Sequence, residues 1–166
     1  MLSAHMTQHI VLMNLLAPFC AWLLRRRLPS GIGTTLLAAT SVQMLLLWGW
    51  HAPPVLPVVM HMPVLHLAMQ LSLFLAALWF WLAVLRISAA HSWRPVLALL
   101  VTSKLFCLLG VLLVFAPRGL YGGHAAIADQ QTAGLLMIIA CPATYLLAGL
   151  IVTARWFTAL ERRTDG

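Results

Sequence analysis

The stretch 63–85 reads PVLHLAMQLSLFLAALWFWLAVL, from Pro63 to Leu85, and is followed at once by Arg86. It contains no Asp, Glu, Lys or Arg. At about 1.5 Å per residue, a helix of this length crosses a hydrocarbon layer roughly 30 Å thick. No water reaches the backbone there, so a crossing segment must satisfy its N–H and C=O groups internally, as a helix does. Four further segments read the same way, at about 8–24, 33–50, 95–115 and 131–154. The breaks between them carry turn and breaker residues: Leu28-Pro29-Ser30-Gly31, His51-Ala52-Pro53-Pro54 and Ala116-Pro117-Arg118-Gly119. A short stretch, Val55 to Met62, separates the second and third spans. The sequence therefore predicts an all-α, polytopic membrane helix bundle of about five transmembrane helices. It forms one domain over 1–166, with no internal repeat and no soluble domain.

Composition supports the same reading. Of 166 residues, 63% are apolar and 8% charged, whereas soluble globular domains average about 45–50% and 25%. So few charges cannot furnish a water-facing surface. Soluble, disordered, nucleic-acid-binding and disulfide-stapled classes are excluded on these figures. The net charge is 10 − 3 = +7, and seven histidines outnumber three acids. Cys20, Cys107 and Cys141 are far apart within apolar stretches and read as small hydrophobic side chains.

The basic excess is a topology signal. With the N-terminus outside, the inner loops hold Arg25, Arg26, Arg27, Arg86, Arg94, Arg155, Arg162 and Arg163, and the outer loops only Arg118. Lys and Arg concentrate on the cytoplasmic side, so the expected orientation is N-terminus periplasmic and C-terminus cytoplasmic, in a bacterial inner membrane. Trp48, Trp50, Trp93 and Trp156 fall at span ends, where amphipathic rings prefer to sit. The first segment lacks a positive leading region and has its arginines after the apolar run. It reads as an uncleaved span, or as the start of a truncated longer chain.

That orientation gathers the histidines. His5 and His9 open the first span, His51 closes the second, His61 and His66 flank the start of the third, and His124 lies between the fourth and fifth. All six belong to the outer side, and only His91 to the inner. His5 and His9 are one helical turn apart, on one face, and Met13 continues that stripe. Imidazole and thioether suit copper, thioether favouring the cuprous ion. His5, Met6, His9, His51, His61 and His66 are thus candidate metal ligands, with Met60 and Met62 beside them. Asp129, the one outer acid, can cap its own helix, orient a ligating imidazole or bind metal itself. Gln130 and His124 complete the candidate surroundings.

Each feature has a plainer account. A single interfacial histidine is an amphipathic side chain with a wet tip, and Met13, Met44, Met69 and Met137 are packing residues. Gln130, Gly134, Met137 and Cys141 share one face of the fifth span, where Gly134 allows close helix approach. Lys104 inside the fourth span is a functional candidate by position. It can also snorkel, or donate to Gln43 in the bundle. No nucleophile with a base, phosphate loop, HExxH or paired carboxylates is present, so no enzyme is expected.

Three stretches carry a family resemblance. His5-Met6-Thr7-Gln8-His9 with Ala17-Pro18 resembles the first signature of the CtaG-type cytochrome c oxidase assembly factors. Trp50-His51-Ala52-Pro53, with His61, His66 and Phe74 through Trp79-Phe80-Trp81, resembles the second. Ala128-Asp129-Gln130-Gln131-Thr132-Ala133-Gly134 through Met137 resembles the third. The three occur in the family's order and span most of the chain. The resemblance implies maturation of heme-copper oxidases through copper delivery. Its partners would be cytochrome c oxidase subunits, a periplasmic copper donor and membrane lipid, with no nucleic acid. It implies functional positions at His5, His9, His51, His61, His66 and Asp129. Family members are longer, with about seven spans, so two leading spans are expected to be missing here. Members often carry Glu and His after the position of His66, where this chain has Met69-Gln70. A membrane b-type cytochrome, with histidines as axial ligands of heme b, and a structural subunit of a membrane complex are the alternatives.

Overall fold

The computed structural model describes residues 1–27, 30–87, 93–121 and 127–164. Helices account for almost all of them, and no strand occurs among the described residues. We number six helices: α1 (Leu2–Leu24), α2 (Gly31–Trp50), α3 (Leu56–His61), α4 (Pro63–Arg86), α5 (Trp93–Phe115) and α6 (Ile127–Thr164). All but α3 are long and apolar enough to cross a membrane. The chain is a multi-pass membrane protein with five candidate spans, as its sequence leads one to expect.

The helix ends differ from the expected boundaries where hydropathy and hydrogen bonding part company. α1 starts at Leu2 instead of near residue 8, because His5 and Gln8 are polar yet sit within the helical ladder. α6 begins at Ile127 and runs to Thr164, past Arg155, because the apolar run ends but the backbone ladder does not. Pro142 lies inside α6 without ending it.

α1 is helical throughout, but its turn at Leu12–Leu16 is a π-helix. Pro18 follows, and a proline cannot donate to the carbonyl four residues back. Such wide turns commonly accompany a local misfit in the hydrogen-bond ladder. The indole of Trp81 donates to the Met13 carbonyl inside this turn at 3.0 Å. A 3₁₀ segment, Ser30–Thr35, leads into α2, which is α-helical from Leu36. It ends at Trp50, just before Pro53-Pro54. α4 starts at Pro63, whose missing N–H costs nothing in a first turn.

α4 is the most enclosed of the five spans and packs against α1 and α2. α5 and α6 form an intimate antiparallel pair, and α6 also lies along α1. Two glycines set the α5–α6 approach. A Cβ on Gly110 would stand 2.8 Å from the Gly134 carbonyl oxygen, and one on Gly134 would stand 2.6 Å from that of Gly110. Close backbone contact of this kind is how helices gain packing energy where no hydrophobic drive separates lipid from protein. The middle of the bundle is aromatic. Tyr145 of α6 stacks on Trp81 of α4 with ring centroids 5.3 Å apart and meets Phe80 and Phe106. Gln43 of α2, fully buried, donates to the Tyr145 hydroxyl at 2.9 Å.

Candidate metal centre

α1 presents His5 and His9 on its bundle-facing side, both buried to 4% exposure. Being one turn apart, they put ring centroids 4.2 Å apart and their Nε2 atoms 2.8 Å apart. One Nε2 must donate and the other accept, and both Nδ1 atoms stand buried without a partner.

His51 approaches from the end of α2. The helix stops at Trp50, and His51 follows with its N–H still donating to the Leu47 carbonyl at 3.1 Å. Its ring turns back along the same turn, and Nδ1–H donates to that carbonyl at 2.7 Å. This bond fixes the tautomer and leaves a lone pair on Nε2, which is buried and unpartnered. A backbone carbonyl holding the second ring nitrogen is the usual support of a metal-ligating histidine. Burial lowers the His51 pKa to about 4, although the Leu47 carbonyl pulls it back upward. The imidazole is therefore neutral at ordinary pH. His51 lies 5.3 Å from His9 and 6.3 Å from His5 by ring centroids. Nitrogen atoms of all three rings fall within 4.8 Å of one another.

His66, one turn into α4, completes the group from the side. Its ring lies 5.1 Å from that of His5. The Gln70 amide stands 3.2 Å from its Nε2 and donates to the lone pair there. Gln70, one turn on, is buried with an unpartnered Oε1. Spacing of four residues from His66 is the sequence signal that could have marked Gln70 as its neighbour. Three helices thus bring four imidazoles together: α1 supplies two, the end of α2 one and α4 one.

His61 and the methionines beside it stand apart from this group. His61 ends α3 with an exposed side chain, and Met60 and Met62 are exposed beside it. Met6 is one residue on from His5, and so about 100° round α1. It belongs to the hydrophobic core. His124 lies outside the described residues. Lys104 is exposed on α5, whereas Gln43 is buried and bonded to Tyr145, so the suggested pairing of the two does not occur.

Among the described residues, the partners of Asp129 lie at the start of α1, not in its own helix or among the imidazoles. Its carboxylate accepts from the Leu2 N–H, the Ser3 N–H and the Ser3 hydroxyl, and so caps the N-terminus of α1 from across the bundle. Those N–H groups have no partner within α1, and its dipole favours a negative charge there. Gln130 does a related job one residue later. Its amide donates to the Leu113 carbonyl at the end of α5, and its oxygen accepts from the Leu120 N–H at 2.8 Å. Gln131 donates to the Val114 carbonyl. The run Asp129-Gln130-Gln131 therefore ties α6 to α1 on one side and to α5 on the other. Tyr121, in the connection after α5, donates its hydroxyl to the His51 carbonyl at 3.0 Å. These residues fix the helix ends that carry the imidazoles.

In chemical terms, the cluster is a set of imidazole nitrogens, three of the four rings buried, with no carboxylate beside them among the described residues. Such a set suits a borderline or soft transition metal ion better than magnesium or calcium, which take oxygen ligands. A family model described as cytochrome c oxidase caa3 assembly factor (Caa3_CtaG) matches residues 1–159. No curated protein and no solved structure matches the chain.

Proposed function

The chain belongs to the cytochrome c oxidase caa3 assembly factor family, and from that premise we propose that it binds copper at His5, His9 and His51 and delivers it to the oxidase. The carrying observation is the convergence of three buried imidazoles, each with one ring nitrogen that has no protein partner. Buried polar atoms are normally satisfied, and those that are not call for an explanation. A bound ion supplies one. His51 would ligate through Nε2, with Nδ1 held by Leu47, while His66 would join once Gln70 releases its ring. Copper is cargo in this reading, not a resident cofactor, and the protein performs no catalytic step. A carrier must release its ion, and a site whose fourth donor is held in check by a glutamine amide is suited to moderate affinity.

The arginine bias supports placing this end of the bundle on the periplasmic side of a bacterial inner membrane. There a copper donor could load the site, and a subunit of cytochrome c oxidase docked in the membrane could receive the ion. The heme alternative has less support. The two α1 nitrogens lie 2.8 Å apart, which leaves no room for a porphyrin between them.

The test is copper analysis of the purified protein after anaerobic loading with cuprous ion and desalting. Wild type is expected to retain close to one equivalent, and the His5→Ala/His9→Ala variant to retain none. Equal copper in both would remove the site. An absorption spectrum of the protein as purified, with a strong Soret band, would move the assignment to heme.

A further inference from the structure

Lys104 occupies the middle of α5, eleven residues from Trp93 and eleven from Phe115. At about 1.5 Å per residue it stands roughly 16 Å from either end of the helix, near the centre of a hydrocarbon layer. A lysine stem bridges only part of that distance by snorkelling. Its side chain does not turn inward, for the residue is exposed on the bundle surface. Ionisable groups at this depth are expensive, and they ordinarily face a partner or a cavity.

The surface around Lys104 is shaped. Leu97 and Val101 precede it at seven and three residues, on the same face of α5. Together with Gly33, Leu37 and Thr40 of α2 they line a cleft of about 480 Å³ between the two helices, which meet only loosely. Trp93 and Arg94 line it at the start of α5, and beyond them its walls are apolar: the Thr40 hydroxyl is already given to the Leu36 carbonyl, and that of Thr34 to the Gly31 carbonyl. Leu37, 80% exposed, stands at its rim. Lys104 lies one turn beyond Val101, the last α5 residue of the cleft, on the same face of the helix.

By their places in the sequence, the acids of this chain do not offer Lys104 a counter-charge within an apolar segment, either in the same copy or in a second one. Its three acids are Asp129, Glu161 and Asp165. Asp129 lies in the first turn of α6 and is committed to the N-terminus of α1. Glu161 and Asp165 come after the apolar part of α6, which ends at Thr158. None of the three lies in the middle of an apolar segment of the sequence. We propose that the α2–α5 cleft and Lys104 form a docking surface for one membrane-spanning helix of another protein, and that this helix carries an Asp or Glu facing Lys104. The apolar walls take the helix body. The ion pair, shielded from water, fixes its depth and excludes helices that lack the acid. This surface is independent of what the histidine cluster holds.

The test uses the full chain, donor-labelled and reconstituted in phosphatidylcholine vesicles. Acceptor-labelled Leu/Ala helices of about 20 residues carry a central Glu, Gln or Leu, and association is read by energy transfer. The Glu helix is expected to associate about tenfold more tightly than the Leu helix, in keeping with intramembrane polar pairs. Lys104→Met should bring it down to the level of the Leu helix. Leu37→Trp, which leaves the lysine in place and fills the cleft, should weaken every helix. Melting temperatures close to wild type certify the fold of both variants. Equal association of the three helices would overturn the proposal, as would discrimination that survives Lys104→Met. Self-association of wild type abolished by Lys104→Met would also overturn it, in favour of a second copy.

Discussion

His51 shows how one residue acquires its chemistry from its place in the chain. It follows the last residue of α2, and Pro53-Pro54 close behind prevent the helix from going on. Its ring therefore folds back on the Leu47 carbonyl and offers Nε2 to α1. Two predictions belong at this scale. His51→Ala is expected to lower copper affinity by at least about tenfold, whereas His61→Ala, at an exposed position, should leave it unchanged in the same competition titration. The second concerns pH. A pKa lowered from 6.5 to about 4 by burial keeps the His51 lone pair free as pH falls through the range where an exposed imidazole takes up a proton. Copper retention in equilibrium dialysis is expected to be alike at pH 7.5 and pH 5.5, and to fail only as pH approaches the lowered value. Loss centred near pH 6.5 would mean that His51 is not shielded from water. The i, i+4 spacing of His5 and His9 was legible in the sequence. What spacing could not show is that His61 points away while His66 points in, because a short helix and a proline break lie between them.

At the scale of elements, the Asp129-Gln130-Gln131 run changes its meaning. Read along the sequence, Asp129 is a candidate cap for its own helix or a metal-site acid. In the fold it caps α1, 126 residues away from Ser3, and Gln130 closes the end of α5. Asp129→Ala is expected to cost about 1 kcal/mol, the usual worth of an N-cap. The loss should appear as faster hydrogen exchange over the first turn of α1, together with weaker copper binding through His5. Unchanged exchange there would show that α1 is held by its apolar face alone. The α5–α6 pair invites a sharper test. Gly134→Leu places a side chain where a Cβ already meets the backbone oxygen of Gly110 at 2.6 Å. Backbone cannot swing aside as a flexible side chain does, so the helices must separate. The variant is expected to show a melting temperature several degrees lower, or loss of the folded protein on purification. Gly149, with open space around it, should accept Ala with little change.

For the whole molecule, orientation is the property that links the fold to function, and it can be measured directly. Cysteine at Met62, exposed near the histidine end, is expected to react in intact cells with a thiol reagent that cannot cross the membrane. Cysteine at Trp93, exposed at the start of α5, should react only after the membrane is opened. The reverse pattern would invert the molecule. The sequence by itself determined that the chain is a helical membrane bundle, how many spans it has and where most of them lie. Hydropathy and backbone hydrogen bonding are local, and a bilayer makes them decisive. It also determined which residue types could serve a metal, and three motifs in order pointed to the family. Only the tertiary structure decided which of those residues meet: His5, His9, His51 and His66 together, His61 outside, Met6 in the core, and Asp129 on a helix end. Convergence depends on how α1, α2 and α4 cross and on which face each one turns inward. Contacts between spans fix that, set by close-packed glycines, caps made across the bundle and an aromatic core. These pair residues too far apart in the chain for any local pattern to connect them.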